Sequence, residues 1–415
     1  MIGIVASAVI GPDTENNVAY QGFALLLFLL LVAISFSIFF RVRFEGKRIL
    51  PRCASAGHPV RYRVTIRNLT KKPQNGLTLL EGLADTRPNF QTWRAMQLAE
   101  KKRLRPFRIS RPRKASHRLA RVGEAEIPAM LPGQEVDVSM ELLPLKRGLL
   151  RLDALTLARP DPLGLFRSLE SKSVPQTMVV LPRRYFIPSI SLPGSMRYQA
   201  GGVALASNVG QSDEFVALRD YRRGDPVRHI HWRSWARAGK PVVKEFEDEF
   251  FVRHALVLDT FAEDPGSPAF EEAISVAASF ACALPTQESL LDLLFVGTQS
   301  YCFTAGRGLA HSDQMLEILA GVQPAPDEQF EKLENLVLNH IRSVSGCIAV
   351  FLAWDDLRRS FTEKMRAMGV PLLVFVVTEA GRAVGINDPG PMRDLPESFR
   401  VLEAGSIEAG LRRLK

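Results

Sequence analysis

The chain has 415 residues, 46% hydrophobic and 23% charged, which excludes a mainly disordered or collagen-like protein and exceeds one ordinary core. Its 53 Lys and Arg against 44 Asp and Glu leave a net charge of +9, favouring anionic partners such as an acidic membrane face or nucleic acid. Cys53, Cys282, Cys302 and Cys347 are too scattered for a zinc site or a disulfide framework and fit a reducing compartment.

Residues 22–40, GFALLLFLLLVAISFSIFF, carry no charge and predict a transmembrane helix. At 1.5 Å per residue it runs roughly 28 Å, close to the hydrocarbon thickness. Residues 1–41 therefore read as a membrane anchor. Asp13 and Glu15 precede the span; Arg41, Arg43, Lys47, Arg48 and Arg52 follow it, opposed by Glu45. That asymmetry places the bulk of the chain in the cytoplasm. Arg41, Arg43, Lys47 and Arg48 are expected at the membrane surface, facing anionic lipid head groups. Met1–Ile10 is apolar but half a span long: either an interfacial strip or the tail of an earlier helix.

Residues 42–182 read as a β-rich, sandwich-like antiparallel domain. Val60, Tyr62, Val64 and Ile66 alternate with Arg61, Arg63, Thr65 and Arg67, the period of a half-buried strand. Val136, Val138, Met140 and Leu142 repeat the pattern after the Pro132-Gly133 turn, and Leu150 and Leu152 open a further strand. Residues 94–121 form a basic insertion, with eleven Lys or Arg and a single acid, Glu100. It is either a solvated insertion or a contact for anionic lipid; with few aromatic platforms nearby, nucleic acid is the weaker partner.

Residues 183–212 read as a linker and 213–250 as a separate motif segment dense in Arg, Asp and Trp. Mixed charge there suggests a salt-bridged structural wedge packed on the domain that follows. His229 and His231 share a face if that stretch is extended, but no further His or Cys supports a metal.

Residues 251–415 read as a doubly wound α/β domain. Ala255–Leu258 is a buried strand; Ser267 and Pro268 open a helix through Phe270, Ile274 and Ala281. Leu291–Val296, Ser300–Phe303, Ile348–Leu352 and Leu372–Val377 are further strands. Leu357, Phe361, Met365 and Met368 recur at helical spacing, with Gly369 as the stop. Asp259, Thr304 and Asp355 each follow a strand and could hold a hard cation, or the acids could simply cap helices. No P-loop, GxSxG, HExxH or strand-linked GxGxxG motif is present. The residues thus leave open a scaffold, a metal-dependent enzyme using Asp259 and Asp355, and a membrane-tethered nucleic-acid binder.

Residues 214–247, EFVALRDYRRGDPVRHIHWRSWARAGKPVVKEFE, resemble the signature of the "domain of unknown function 58" family. The matching positions are Glu214, Phe215, Leu218, Arg219, Tyr221, Gly224, Asp225, Arg228, Ile230, Trp232, Ala236 and Lys244. Arg147-Gly148, Asp161-Pro162-Leu163-Gly164 and the basic-flanked span are similar too. The resemblance implies a bacterial inner-membrane protein with its bulk in the cytoplasm and a von Willebrand factor A-like α/β domain. It implies a cytoplasmic protein partner, a MoxR-type AAA+ ATPase, in an assembly or chaperone-like system. It implies no reaction and no cofactor. Von Willebrand factor A domains often carry DxSxS for a metal, which adds a metal-dependent adhesion domain at Asp259 and Asp355 to the open readings; here Asp259 is followed by Phe261 and Glu263, so no metal is expected.

Overall fold

In the computed structural model the structure describes residues 18–38, 42–85, 90–91, 94, 118–188, 215–223, 225, 227–246, 252–262, 266–283, 289–306, 309–326, 328–341, 344–381, 386 and 388–414. The chain divides into two compact units, Met1–Leu181 and Pro182–Lys415.

The first unit begins with helix α1, Val18–Ile38, 21 residues without a charge. Leu25, Phe28 and Leu31 on it are each more than half exposed. Among the described residues no helix is long and apolar enough to cross a membrane.

Two sheets follow. One holds β1 (Phe44–Ile49), β3 (Val60–Asn68), β7 (Glu135–Pro144) and β5 (Ala120–Val122), all antiparallel in the order β1-β3-β7-β5. The other has the order β2-β9-β8-β4-β6, with β2 (Cys53–Ser55), β4 (Leu77–Leu83), β6 (Ala125–Ile127), β8 (Gly148–Pro160) and β9 (Arg167–Leu181). The alternation in 60–67 puts Tyr62, Val64 and Ile66 into a core shared with Met140, Leu142, Leu150, Leu152 and Leu157. Most of the basic insertion lies outside the described residues; Leu83 before it and Ala120 near its end lie opposite Leu152 and Pro144.

Arg48 corrects an expectation. It is 2% exposed, so it is not a membrane-surface residue. β1 turns its side chain inward, where Nη2 donates to Glu81 Oε1 at 2.6 Å and Tyr62 Oη donates to Glu81 Oε2 at 2.7 Å. Burial raises the pKa of Glu81, and Arg48 and Tyr62 pull it back. The strand period decides this: Phe44 and Arg48 share a face, while Arg43 and Lys47 stay exposed.

The second unit opens with β10 (Phe215–Asp220), helix α2 (Trp232–Ala238) and β11 (Val242–Phe246), the two strands antiparallel. A six-stranded sheet follows in the order β14-β13-β12-β15-β16-β17. Its members are β12 (Val252–Leu258), β13 (Ser289–Val296), β14 (Ser300–Ala305), β15 (Gly346–Phe351), β16 (Leu372–Thr378) and β17 (Phe399–Glu403). Every pair is parallel except β13 with β14. The order reverses between β12 and β15, as in doubly wound sheets. Helix α3 (Pro268–Ala283) packs on one face, where Phe280 meets Phe375 at 5.0 Å. Helix α4 is Leu309–Gly321; α5 (Phe330–His340) and α6 (Asp356–Ala367) cover the other face through Phe330, Leu333, Val337, Phe361 and Met365. Short α7, Ile407–Leu411, closes the chain. Of the four apolar positions predicted for α6, Phe361 and Met365 are buried, but Leu357 and Met368 stand exposed. Arg358 and Thr362 take the inner face instead, because Arg358 has a buried carboxylate to meet.

Candidate functional site

The carboxyl edge of the parallel strands is where such sheets bind ligands, at the reversal of strand order. Asp259 follows β12 there and is fully buried. Its Oδ2 accepts from Arg358 Nε at 3.0 Å and Nη2 at 2.9 Å, and from the backbone N–H of Leu352 at 3.1 Å. Its Oδ1 accepts from the Phe261 N–H at 3.0 Å. Asp355 caps α6, accepting from the Arg358 N–H, and its Oδ2 takes Arg358 Nη1 at 2.5 Å. The same guanidinium lies 4.7 Å over the Phe330 ring. Burial works against the charge of Arg358, but Asp259 and Asp355 outweigh it and hold its pKa above the ordinary value.

Asp259 and Asp355 therefore meet, as expected, but around a guanidinium. Thr304 does not join them. β14 runs antiparallel to β13 and Thr304 pairs with Asp292 inside β13, so its strand ends away from the carboxyl edge. Thr304 Oγ1 donates to Asp292 Oδ1 at 2.6 Å, beside a second buried pair: Arg253 Nε to Asp292 Oδ2 at 2.6 Å and Nη2 to Oδ1 at 3.0 Å. The idea of three oxygen ligands on one edge fails because an antiparallel strand reverses which end is which. Glu263 lies outside the described residues. Among the described residues no cluster of three or more His, Cys, Asp or Glu could hold a metal.

The motif segment is organised by Asp225. Arg219 Nη1 donates to Asp225 Oδ2 at 2.7 Å and Nη2 to Oδ1 at 2.9 Å, a two-pronged pair. The Arg222 N–H adds a third donor to Oδ2 at 2.8 Å. Arg219, and then Arg222, push the Asp225 pKa down to about 2. The pair is only partly buried, with side chains 32% and 16% exposed, so the salt bridge of the expected wedge is a clasp near the surface. It holds the chain between β10 and α2. Gly239 ends α2 with φ of 69°, the left-handed conformation glycine favours. No residue of α2 is buried; Trp232 is 61% exposed and stacks on Trp235 at 5.2 Å.

Tyr221 and Lys244 are half-buried: the Tyr221 N–H donates to the Pro241 carbonyl at 3.0 Å, and Lys244 lies opposite Leu218. Glu214 and Gly224 lie outside the described residues, as does the Arg228 side chain. The segment is helical, not extended, around His229, so His229 and His231 do not share a strand face. His231 Nδ1 meets Ser234 Oγ at 2.7 Å, three residues along, a local contact at a helix start. Burial pushes the Cys302 thiol up to about 11 and the Cys347 thiol up to about 12, which makes these two poor nucleophiles.

A cleft of about 680 Å³ lies between the β13–β14 turn and the end of α4, lined by Phe295, Tyr301, Phe303, Ile318 and Pro324 among others. Nothing in the sequence pattern marked it. Arg358 was also missed, although its spacing of three from Asp355 on a predicted helix was a visible signal.

Two predictions follow from these ion pairs. Asp225 should titrate near 2 in the folded protein by carboxyl NMR, and Arg219→Ala should return it towards about 4. Because its folded value is depressed, its stabilising contribution is complete above the unfolded value and is lost as pH falls from about 4 to 2. An unchanged Asp225 titration in Arg219→Ala would remove the clasp from the account. Arg358→Met leaves the Asp259 carboxylate buried without its cation and should cost about 3–5 kcal/mol in urea unfolding. An unaltered midpoint would show that the pair does not hold the sheet edge.

The "Uncharacterized protein YeaD" of Bacillus subtilis (strain 168) is 29% identical over 189 residues, covering 45% of this chain. The match takes in 46% of that relative, so the chain spans about half the length of the curated protein it matches. Among solved structures, a mutant Salmonella alpha-2-macroglobulin gives a TM-score of 0.20 at 14% identity over 37% of this chain and 8% of that one. A FixG-related protein from Vibrio parahaemolyticus gives 0.18 at 9% identity over 34% and 95%. Likenesses this faint carry no argument. Over residues 217–383, from within β10 through β16, the chain matches the family described as "Protein of unknown function DUF58".

Proposed function

We propose that this protein is a membrane-anchored, non-enzymatic scaffold that offers its motif segment to a cytoplasmic protein partner. The observation that carries the reading is the exposed Trp232, stacked on Trp235 beside exposed Arg222, Arg233 and Arg237 in a clasped segment. Trp and Arg on a pre-organised surface are the composition of binding hot spots. The charged groups of the six-stranded sheet favour the same reading, since its buried carboxylates Asp259 and Asp292 already have internal cations. A metal-dependent reaction at Asp259 would first have to displace Arg358.

The sheet order, with its single antiparallel edge strand, supports taking the α/β unit as von Willebrand factor A-like. The family resemblance makes a MoxR-type AAA+ ATPase the partner to test first. Anchoring is supported by α1: a helix apolar all round, with exposed Leu and Phe, suits a core or a bilayer, and at 21 residues it would run about 32 Å. The basic residues that follow it support a cytoplasmic location for the remainder at a bacterial inner membrane.

Trp232→Ala in the full-length protein should weaken binding to a purified MoxR-type ATPase at least tenfold without changing unfolding, as truncation of a hot spot does. Equal binding by the variant would refute the motif surface. A reporter fused after Lys415 should be active only on the cytoplasmic side; activity on the outer side would reverse the topology.

A further inference from the structure

One end of the β domain carries a set of apolar turns that its core does not use. The turn between β8 and β9 exposes Leu163, Leu165 and Phe166; the loop after β3 exposes Leu69; the turn before β7 exposes Leu131. Sheet register brings these turns together. Thr78 pairs with Ala158, Leu77 with Ile127, and Gln74 bridges to Met130, so the start of β4, the end of β8 and the 130–134 turn share one end. Asn68 pairs with Phe44 at the same end, and the Leu69 N–H donates to the Arg43 carbonyl at 2.9 Å.

These turns are held rigid by buried polar side chains. Asn68, fully buried, donates through Nδ2 to the carbonyls of Lys72 at 3.0 Å and Leu131 at 3.2 Å, and accepts the Thr70 N–H at 2.9 Å. Gln74 Oε1 accepts from Arg159 Nη2 at 2.7 Å, tying the first loop to β8. Asp161, 8% exposed, accepts the N–H groups of Leu163, Leu165 and Phe166 at 2.7, 3.2 and 2.8 Å. Apolar tips on so fixed a frame lose little freedom when they are covered.

The chain itself says what lies beside them. Val42 follows Ile38, the end of α1, by four residues, a reach of at most about 14 Å. This end of the domain is thus the one nearest the apolar helix. Arg43, Lys71 and Lys72 stand exposed around the leucines, the basic rim and apolar tip of an interfacial membrane contact. We infer that Leu69, Leu131, Leu163, Leu165 and Phe166 form a second membrane contact, seated in the interfacial layer of a bilayer containing anionic lipid. The inference rests on the anchor reading above.

The test is depth-dependent quenching in the full-length protein, reconstituted in vesicles of phosphatidylcholine and phosphatidylglycerol with brominated acyl chains. Leu165→Trp and Leu131→Trp should add emission that is blue-shifted and quenched several-fold more than that added by Leu149→Trp, exposed at the other end of β8. Using two positions keeps the result readable if one variant fails to fold. New emission that is blue-shifted but unquenched would mean a protein covers the turns, and overturns the lipid assignment. New emission no more quenched than that of Leu149→Trp, in protein that resists carbonate extraction, overturns this contact and leaves the anchor standing. Protein released by carbonate overturns both.

Discussion

Asp259 lies buried where the order of the six-stranded sheet reverses, and a carboxylate in that place must be protonated, bound to a cation or paired. Arg358 pairs it, and much else depends on that choice. To reach Asp259, the guanidinium must come from the first turn of α6, so Asp355 is left to cap the helix and close the other side of the charge. The Leu352 N–H is drawn to the same carboxylate, which fixes the loop after β15 against the loop after β12. Two strands and a helix are registered by one group. The crevice that doubly wound sheets commonly give to a ligand is filled by the protein's own cation.

The same logic recurs away from that edge. Arg253 with Asp292 ties β12 to β13 within the sheet, and Arg48 with Glu81 and Tyr62 ties β1 to β4 across the β domain. Each is a buried ion whose partner is supplied by a distant strand, and removing either partner leaves a costly bare charge. Charge is thus spent inside on specifying geometry. What remains at the surface is different in kind: the clasped, tryptophan-bearing motif in one unit and the apolar turns in the other.

Where side chains obeyed a simple period, elements were legible. The alternation over 60–67 is the strand Val60–Asn68, and the apolar runs near 255, 291 and 372 are buried parallel strands. Pro268 does open a helix and Gly369 does follow one, with φ of 70°. The readings that went astray placed single residues. Arg48 looked like one of four surface cations, and only the inward face of β1 distinguishes it from Lys47. Thr304 looked like a third ligand because strand direction leaves no trace in composition. Leu357 and Met368 looked like core because their spacing was right, but the helix was rotated to let Arg358 in.

The sequence by itself determined what is local: a charge-free apolar segment, the alternation of strands, helix starts and stops, and a motif dense in Arg and Trp. Those features depend on neighbours within a turn or two, and their period is written in the order of residues. Only the tertiary structure decided which charges are inside and what they meet. Asp259 and Arg358 are 99 residues apart, and Arg253 and Asp292 are 39 apart. The turns at the end of the β domain are likewise joined by Asn68 and Gln74 across strands distant in the chain. Such pairs form because sheet order and strand direction bring them together, and no period within a single segment records that order.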